Sequence, residues 1–186
     1  MSSKKPEILA TELVAKSRLF QVEQLHLRFS NGVERHYERM RGAMSGAVMV
    51  VPMLDDHTLL LVREYAAGTH SYELGFPKGL IDPGEDAMQA ANRELQEEVG
   101  YAARQLEPLY QLALAPSYFS ARMEILLARD LYPSRLEGDE PEPLELVPWP
   151  LADIDGLLAR PDFSESRSIC ALFLAQKKLT LGGRSR

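Results

Sequence analysis

Three glutamates near the end of a predicted helix are the residues best suited to chemistry. Residues 93–101 place Glu94, Glu97 and Glu98 at helical positions i, i+3 and i+4, so their side chains are neighbours. Like charges at this spacing cost about 0.2–0.5 kcal/mol per pair, and acids in the last turn oppose the helix dipole. A hard divalent cation would reverse that cost, because Mg²⁺ prefers carboxylate oxygens. The cluster predicts a metal site; the alternative is a solvated acidic face.

The loop before this helix favours the metal site. Gly79, Pro83 and Gly84 permit tight turns close to the start of the helix, and Glu85 follows them directly. Arg93 can hold a neighbouring carboxylate through a bidentate hydrogen bond. A constrained loop, an acidic helix and an internal arginine are together typical of a metal site.

Two predicted hairpins precede the loop. The opening residues are polar, and we expect them to be loose. Residues 18–41 form two strands that turn at Asn31-Gly32, a pair that favours a type I′ turn. Residues 46–65 form a second hairpin that turns at Asp55-Asp56. Its nearly continuous apolar strands are typical of strands covered on both faces.

The predicted helix runs from Asp86 to Val99 and ends at Gly100, which suits the C′ position. Its core-facing stripe is expected to comprise Met88, Ala91, Leu95 and Val99. The later elements are strands at 106–116 and 123–131, an acidic loop at 135–149, and helices near 151–159 and 165–179. We therefore predict an α/β (α+β) protein with a mixed β-sheet between helices and a small N-terminal antiparallel sheet. The expected domains are residues 1–45 and 46–186.

Composition excludes several classes of protein. The 186 residues carry a formal net charge of −6, which argues against non-specific nucleic-acid binding. The lone Cys170 cannot form a disulfide or a zinc cluster within one chain, and we expect it to be a buried, inert thiol. No signal peptide or run of about 20 apolar residues is present, so no membrane contact is expected and the predicted location is cytoplasmic.

The motif residues resemble the Nudix box, whose pattern is G-x5-E-x7-R-E-U-x-E-E-x-G-U, where U is a bulky aliphatic residue. The matching positions are Gly79, Glu85, Arg93, Glu94, Leu95, Glu97, Glu98, Gly100 and Tyr101. Only Tyr101 departs, at a position expected to pack rather than to react. The resemblance implies the Nudix fold and a pyrophosphohydrolase that uses Mg²⁺ or Mn²⁺, with roughly two or three ions per site.

The resemblance assigns roles within the box. Glu94 and Glu98 are the expected metal ligands, and Glu97 is expected to bridge or orient the ions. A backbone carbonyl of Lys78 or Gly79 is expected to complete the metal shell. The box is braced by Arg93 and supported by Gly79, Glu85 and Gly100.

A downstream loop is expected to add two further acids. In related ADP-ribose hydrolases an E-x-E pair reaches the site, and Glu140 and Glu142 match it. Glu140 is the candidate general base, so that Glu140, Glu97 and Arg93 form the predicted catalytic group, and Glu142 is a candidate metal ligand. The alternative is a solvated acidic loop, in which Glu137, Asp139 and Glu145 compete for these roles.

The resemblance extends to the members of the family that act on ADP compounds. Pro116 lies 16 residues after Gly100, as in hydrolases of ADP-ribose. This implies cleavage of ADP-ribose, diadenosine triphosphate and NADH with release of AMP, and it implies a homodimer. Phe20, Glu38 and Arg39 are candidate adenosine contacts; for Phe20, core packing is the alternative.

Some positions differ from the related ADP-ribose hydrolases. Gly75 stands where glutamate is common, Lys78 where alanine is common, and Ala66 where arginine is common. Lys78 is either a phosphate contact or a surface lysine. The four histidines are expected to be surface or packing residues. Two rival functions stay open: a pyrophosphohydrolase for another nucleotide, and a non-catalytic nucleotide sensor.

Overall fold

The computed structural model describes residues 4–42 and 46–182, with side chains up to residue 180. The chain divides into two compact units, one formed by Met1–Gly46 with Ala113–Arg122 and the other by Ala47–Leu112 with Met123–Arg186. The predicted boundary at residue 45 lies outside the described residues. Residues 113–122 group with the first unit, although the sequence had placed them in the second domain.

The strands and helices follow the chain in this order: β1 (Glu7–Lys16), β2 (Gln21–Arg28), β3 (Glu34–Met40), β4 (Ala47–Asp55), β5 (Thr58–Ala66), β6 (Ser71–Gly75), β7 (Lys78–Leu80), α1 (Ala87–Glu94), a π-helical turn (Leu95–Val99), β8 (Tyr101–Ala113), β9 (Arg122–Pro133), β10 (Glu145–Pro150), α2 (Ile154–Leu158) and α3 (Ser166–Gly182).

The first unit contains the small antiparallel sheet that the sequence predicted, in the order β1-β2-β3. The expectation of loose opening residues was wrong, because Glu7–Lys16 form β1 along the edge of β2. Register shifts between Ile8 and Ala10 and between Leu13 and Ala15 interrupt the pairing. Such bulges break the period-two alternation from which a strand is predicted.

The turn between β2 and β3 differs from the predicted type I′ turn. Gly32 has a φ of 82°, but Asn31 does not adopt a positive φ. The Gly32 N–H donates to the Phe29 carbonyl at 2.9 Å, and the Phe29 N–H donates to the Val33 carbonyl at 2.9 Å. This is the three-residue loop in which a type I turn ends in a left-handed glycine.

The second unit is built on a mixed sheet in the order β10-β5-β4-β9-β8, with β6 paired to β5 and β7 paired to β4. Strand β4 is antiparallel to β5 and parallel to β9. Its residues Val48–Val51 have no solvent exposure. Val48 and Val50 belong to the cluster that includes Leu95 of the helix, and α3 also packs on β4. The predicted sheet between helices is confirmed.

The predicted helix forms as α1 followed by one π-helical turn. Asp86 caps it and exchanges hydrogen bonds with Gln89 in a capping box, and Gly100 ends it with a φ of 76°. Met88 was wrongly assigned to the core stripe, since it is 37% exposed. The buried stripe consists of Ala90, Ala91, Leu95 and Val99, and Tyr101 packs against the same cluster.

Three short strands were missed by the sequence analysis. Strands β6 and β7 lie in the glycine- and proline-rich segment that was predicted to be a loop. Strand β10 contains Pro148 and Pro150, which argue against a central strand. It occupies the edge of the sheet, where a missing N–H donor is tolerated.

Cys170 is half-buried, not fully buried as predicted, because it flanks the buried face of α3 formed by Ala171, Leu172 and Ala175. Among the described residues, no helix combines the length and apolar character needed to cross a membrane.

Candidate metal and catalytic site

Arg93 is the centre of the box and contacts four groups around it. Its Nε donates to Glu85 Oε1 at 3.0 Å, and its Nη2 donates to the Leu80 carbonyl at 2.8 Å. Its Nη1 donates to Glu94 Oε1 at 2.7 Å and to Glu97 Oε2 at 2.8 Å. The Glu85 hydrogen bond is the main cause of the raised pKa of Arg93, so the guanidinium stays charged. The box arginine therefore holds three carboxylates in fixed positions.

Glu98 and Glu94 are buried carboxyl groups. Each is 7% exposed. Glu98 Oε1 accepts a 3.3 Å hydrogen bond from the Lys78 backbone N–H, whereas its Oε2 is buried and has no hydrogen-bond partner among the described residues. Burial raises the pKa of Glu98 to about 9, and burial also raises the pKa of Glu94. A buried carboxylate without a partner requires a proton or a cation.

Gly79 makes room for Glu94. It lies in β7 opposite Val48 of β4. A Cβ atom at Gly79 would overlap the carboxylate of Glu94. Glycine at this first position of the box leaves space for the buried carboxylate, because the backbone of β7 passes close to it.

The donor set fits a divalent cation. Buried carboxylate oxygens are the preferred ligands of Mg²⁺ and Mn²⁺, and Glu98 Oε2 is an unused one. In the part of the chain that the structure describes, no three acid or histidine side chains already surround one point. Glu94 and Glu97 each form an ion pair with Arg93, which keeps these two carboxylates beside the guanidinium. Glu98 is therefore the carboxylate best prepared for a cation.

The segment between β9 and β10 forms a wall of the same site; we call residues 134–144 the acidic loop. Its start is tied to the helix end, since the Ser134 N–H donates to the Gly100 carbonyl and the Leu136 N–H donates to the Gln96 carbonyl, each at 3.1 Å. Between the loop and the helix lies a cavity of about 550 Å³. The cavity is lined by Glu97, Glu98, Arg135, Leu136, Glu137, Gly138, Glu140, Pro141, Glu142, Pro143 and Leu144.

The structure brings Glu140 towards the box carboxylates. Burial is the main cause of the raised pKa of Glu94, and the negative charges of Glu97 and Glu140 add to it. A Cβ at Gly138 would overlap the Glu140 carboxylate and lie 3.5 Å from Glu97 Cβ. Glu140 therefore shares one acidic cavity with Glu97 and Glu98.

The other candidate acids have different surroundings. Glu142 lines the cavity, and its Oε1 accepts a 2.5 Å hydrogen bond from the Tyr72 hydroxyl. Glu137 also lines the cavity. Glu145 forms a 2.9 Å ion pair with Arg63 in the sheet. The metal-ligand role of Glu142 stays a prediction.

Lys78 is half-buried and paired, which differs from a freely solvated surface lysine. Its Nζ forms a 2.6 Å ion pair with Glu64 of β5. Sequence reasoning missed both Glu64 and Tyr72, because these contacts join residues 14 and 70 positions apart. No local spacing carries such a signal.

The predicted adenosine contacts lie in the first unit. Phe20 is 56% exposed, so it does not serve core packing. Glu38 and Pro116 are exposed, and Arg39 forms a 3.0 Å ion pair with Glu23. Their contact with adenosine stays a prediction.

Comparisons with known proteins agree with the site. The NUDIX domain family model matches residues 44–172, and the model of the NudE-type Nudix hydrolase N-terminal domain matches residues 6–39. The chain is 61% identical to the ADP compounds hydrolase NudE of Escherichia coli (strain K12) over 98% of each chain. It is 24% identical to the ADP-ribose pyrophosphatase of Bacillus subtilis (strain 168) over 97% of this chain and 98% of that one. A crystal structure of an ADP compounds hydrolase superposes with a TM-score of 0.92, at 60% identity and 99% coverage of both chains.

Proposed function

The chain belongs to the Nudix hydrolase family, and on that premise we propose that it hydrolyses the pyrophosphate bond of ADP compounds and releases AMP. The observation that carries this proposal is the buried Glu98 Oε2, which has no hydrogen-bond partner among the described residues, beside the Arg93-braced acids of the box. The 61% identity to an ADP compounds hydrolase supports the choice of substrate class. The expected substrates are ADP-ribose, diadenosine triphosphate and NADH.

Nudix hydrolases generally need divalent metal ions. We propose Mg²⁺, which Mn²⁺ can replace, with roughly two or three ions per site. Glu94 and Glu98 would hold them with Glu97 and a backbone carbonyl of Lys78 or Gly79. Bound there, the ions would neutralise the pyrophosphate and lower the pKa of a water molecule.

The chain's own residues position the reactants. Arg93 fixes Glu94 and Glu97 through the 2.7 and 2.8 Å hydrogen bonds. Glu140, at the wall of the acidic cavity, is the proposed general base that takes the proton from the attacking water. The backbone of β7 at Gly79 lies close to the Glu94 carboxylate. No side-chain nucleophile is required, so the mechanism involves no covalent enzyme intermediate.

Replacing the proposed base should separate proton transfer from metal binding. Glu140→Gln is expected to lower kcat by about 100-fold or more, because a positioned general base contributes roughly 10²–10⁴-fold. The Mn²⁺ dissociation constant, measured by titration calorimetry, should change far less. Glu137→Gln is the matched control, since it changes another glutamate of the same cavity wall. A larger loss of kcat in Glu137→Gln than in Glu140→Gln would show that the base is assigned to the wrong residue.

A substrate panel tests the proposed function itself. Turnover of ADP-ribose, diadenosine triphosphate, NADH, FAD and GDP-mannose would be measured with Mg²⁺ and with Mn²⁺, and products separated by chromatography. AMP from the adenylated compounds with GDP-mannose intact is the expected result. Hydrolysis of GDP-mannose alone would indicate a different nucleotide class. A folded, metal-binding protein that releases no product would indicate a non-catalytic nucleotide sensor.

We also propose a cytoplasmic homodimer formed through the N-terminal region of residues 1–45. The exposed apolar side chains of this region, including Phe20 and Leu19, support an interface there. Phe20, Glu38, Arg39 and Pro116 are the proposed adenosine contacts. Sedimentation equilibrium would test the assembly, and a monomer at micromolar concentration would contradict it.

A further inference from the structure

One contact crosses from the sheet to the acidic loop. The hydroxyl of Tyr72 on β6 donates a 2.5 Å hydrogen bond to Glu142 Oε1. The hydrogen bond to Glu142 raises the pKa of Tyr72, so the phenol keeps its proton near neutral pH. A neutral donor on a charged acceptor is a strong type of hydrogen bond, worth about twice a neutral pair.

Tyr72 is 51% exposed and packs on a neighbour in the sheet. It is the cross-strand partner of Tyr65 on β5, and their rings meet edge to face with centroids 5.8 Å apart. The hydroxyl of Tyr65 lies 2.7 Å from His70 Nδ1. Pairs of aromatic residues in such an arrangement restrict each other, and β-strands give more precise placement than loops. Tyr72 therefore presents its hydroxyl from a paired strand and not from a loop.

The acidic loop has few other restraints around its central residues. Ser134 and Leu136 tie its start to the helix, and Glu145 begins β10 at its end. Neither a helix nor a strand is formed by residues 134–144. Glu140 lies only two residues before Glu142. The position of Glu140 within the cavity thus depends on what holds Glu142.

We propose that Tyr72 is a positioning residue that holds the acidic loop through Glu142 and so directs Glu140 at the box carboxylates. This inference rests on the proposed function of Glu140 as the general base. It gives Glu142 the role of a loop anchor, in place of the metal-ligand role that the family resemblance implies. The two roles compete for the same carboxylate, whose Oε1 is engaged by Tyr72.

The first test removes only the hydroxyl. Tyr72→Phe is expected to lower kcat by about tenfold, since a hydrogen bond to a charged group is lost. The KM for ADP-ribose and the thermal midpoint should stay close to those of the unchanged protein. Tyr65→Phe is the matched control, because it keeps the ring that packs on Tyr72 and removes only the hydroxyl that contacts His70. Equal kcat in both variants and the unchanged protein would overturn the proposal.

The second test distinguishes a role of Glu142 as loop anchor from a role as metal ligand. Glu142→Gln keeps an oxygen that accepts the Tyr72 hydrogen bond but is a poor Mg²⁺ ligand, whereas Glu142→Ala removes both functions. If Glu142 is a loop anchor, Glu142→Gln should retain most of kcat, whereas Glu142→Ala should lower kcat by about tenfold. Tyr72→Phe with Glu142→Ala should then lose no more than Glu142→Ala alone, as expected for coupled residues.

Metal affinity provides a readout independent of turnover. Titration calorimetry with Mn²⁺ should give nearly the same dissociation constant for the unchanged protein, Tyr72→Phe and Glu142→Gln. A tenfold weaker affinity in Glu142→Gln, with Tyr72→Phe unaffected, would assign Glu142 to the metal and refute the anchor. If no ADP compound is hydrolysed by the unchanged protein, the proposed function fails first, which the substrate panel shows separately.

Discussion

Glu98→Gln should lower kcat on ADP-ribose by about 1000-fold while the protein remains folded. The metal's stabilisation of transition-state charge is worth several kcal/mol, and each 1.36 kcal/mol corresponds to about a tenfold rate change. An amide has lost the anionic oxygen that the buried Glu98 Oε2 provides. Steady-state kinetics at saturating Mg²⁺ would measure the loss. Near-normal turnover in the folded variant would refute Glu98 as a metal ligand.

The same substitution, Glu98→Gln, should increase the stability of the metal-free protein relative to the unchanged protein as the pH rises. Burial raises the pKa of Glu98 to about 9 from its ordinary value of 4.5, so the folded state binds a proton more tightly than the unfolded state does. Stability therefore falls as the pH rises from about 4.5 to about 9. Glu98→Gln removes this dependence, because glutamine does not titrate.

Urea unfolding in EDTA would reveal this pH dependence. The stability of Glu98→Gln relative to the unchanged protein should increase between pH 5.5 and pH 8.5, and added Mg²⁺ should reduce the difference. Glu107→Gln on β8 is a matched control, because Glu107 is half-exposed and ion-paired to Arg129 at 3.5 Å. If the difference in stability between Glu98→Gln and the unchanged protein did not change with pH, this would contradict the raised pKa of a buried Glu98.

Arg93→Gln should damage both activity and stability. The substitution removes the cation that contacts Glu85, Glu94 and Glu97, and it leaves these half-buried and buried acids to repel each other. Losing one partner of such a network costs about 3–5 kcal/mol when the charges are buried, and somewhat less here because Arg93 is 21% exposed. A fall in kcat of about 100-fold is expected, as for residues that orient metal ligands.

Two further variants make the Arg93 test specific. Arg93→Lys keeps the charge but not the planar fork, so it should recover part of the stability and little of the activity. Arg104→Gln changes an exposed arginine with a 3.4 Å contact to Asp130, and it should alter stability by less than about 1 kcal/mol. Full activity in Arg93→Lys would show that charge alone, and not the bidentate geometry, organises the box.

The sequence by itself determined the helix of the box and the class of its chemistry. The capping residue Asp86, the terminal Gly100 and the glutamates at helical spacing are local signals, and the structure forms a helix between these two residues. The mixed sheet followed from apolar strands and from the Nudix pattern. The helix signals depend on neighbours within a few residues, which is the range over which periodicity and capping carry information.

The sequence predictions were wrong where a local conformational preference conflicted with the tertiary structure. Asn31-Gly32 favours a type I′ turn, yet the loop closes with only Gly32 at positive φ. Met88 suited the apolar stripe of a regular helix but lies at its exposed side. The last turn of that helix is π-helical, and the Gly100 N–H reaches back to the Leu95 carbonyl. Such wider turns occur frequently at functional sites, and no spacing rule for a regular helix anticipates them.

Only the tertiary structure decided how the acids differ from one another. Glu97 and Glu98 are adjacent in sequence, but Glu97 is held by Arg93 whereas Glu98 Oε2 is buried without a partner among the described residues. Glu140 and Glu142 are two residues apart and both line the cavity of the box, but Glu142 is also bound by the Tyr72 hydroxyl. The physical reason is that burial and long-range hydrogen bonds set the charge state and position of a carboxylate, and both depend on segments far away in the chain.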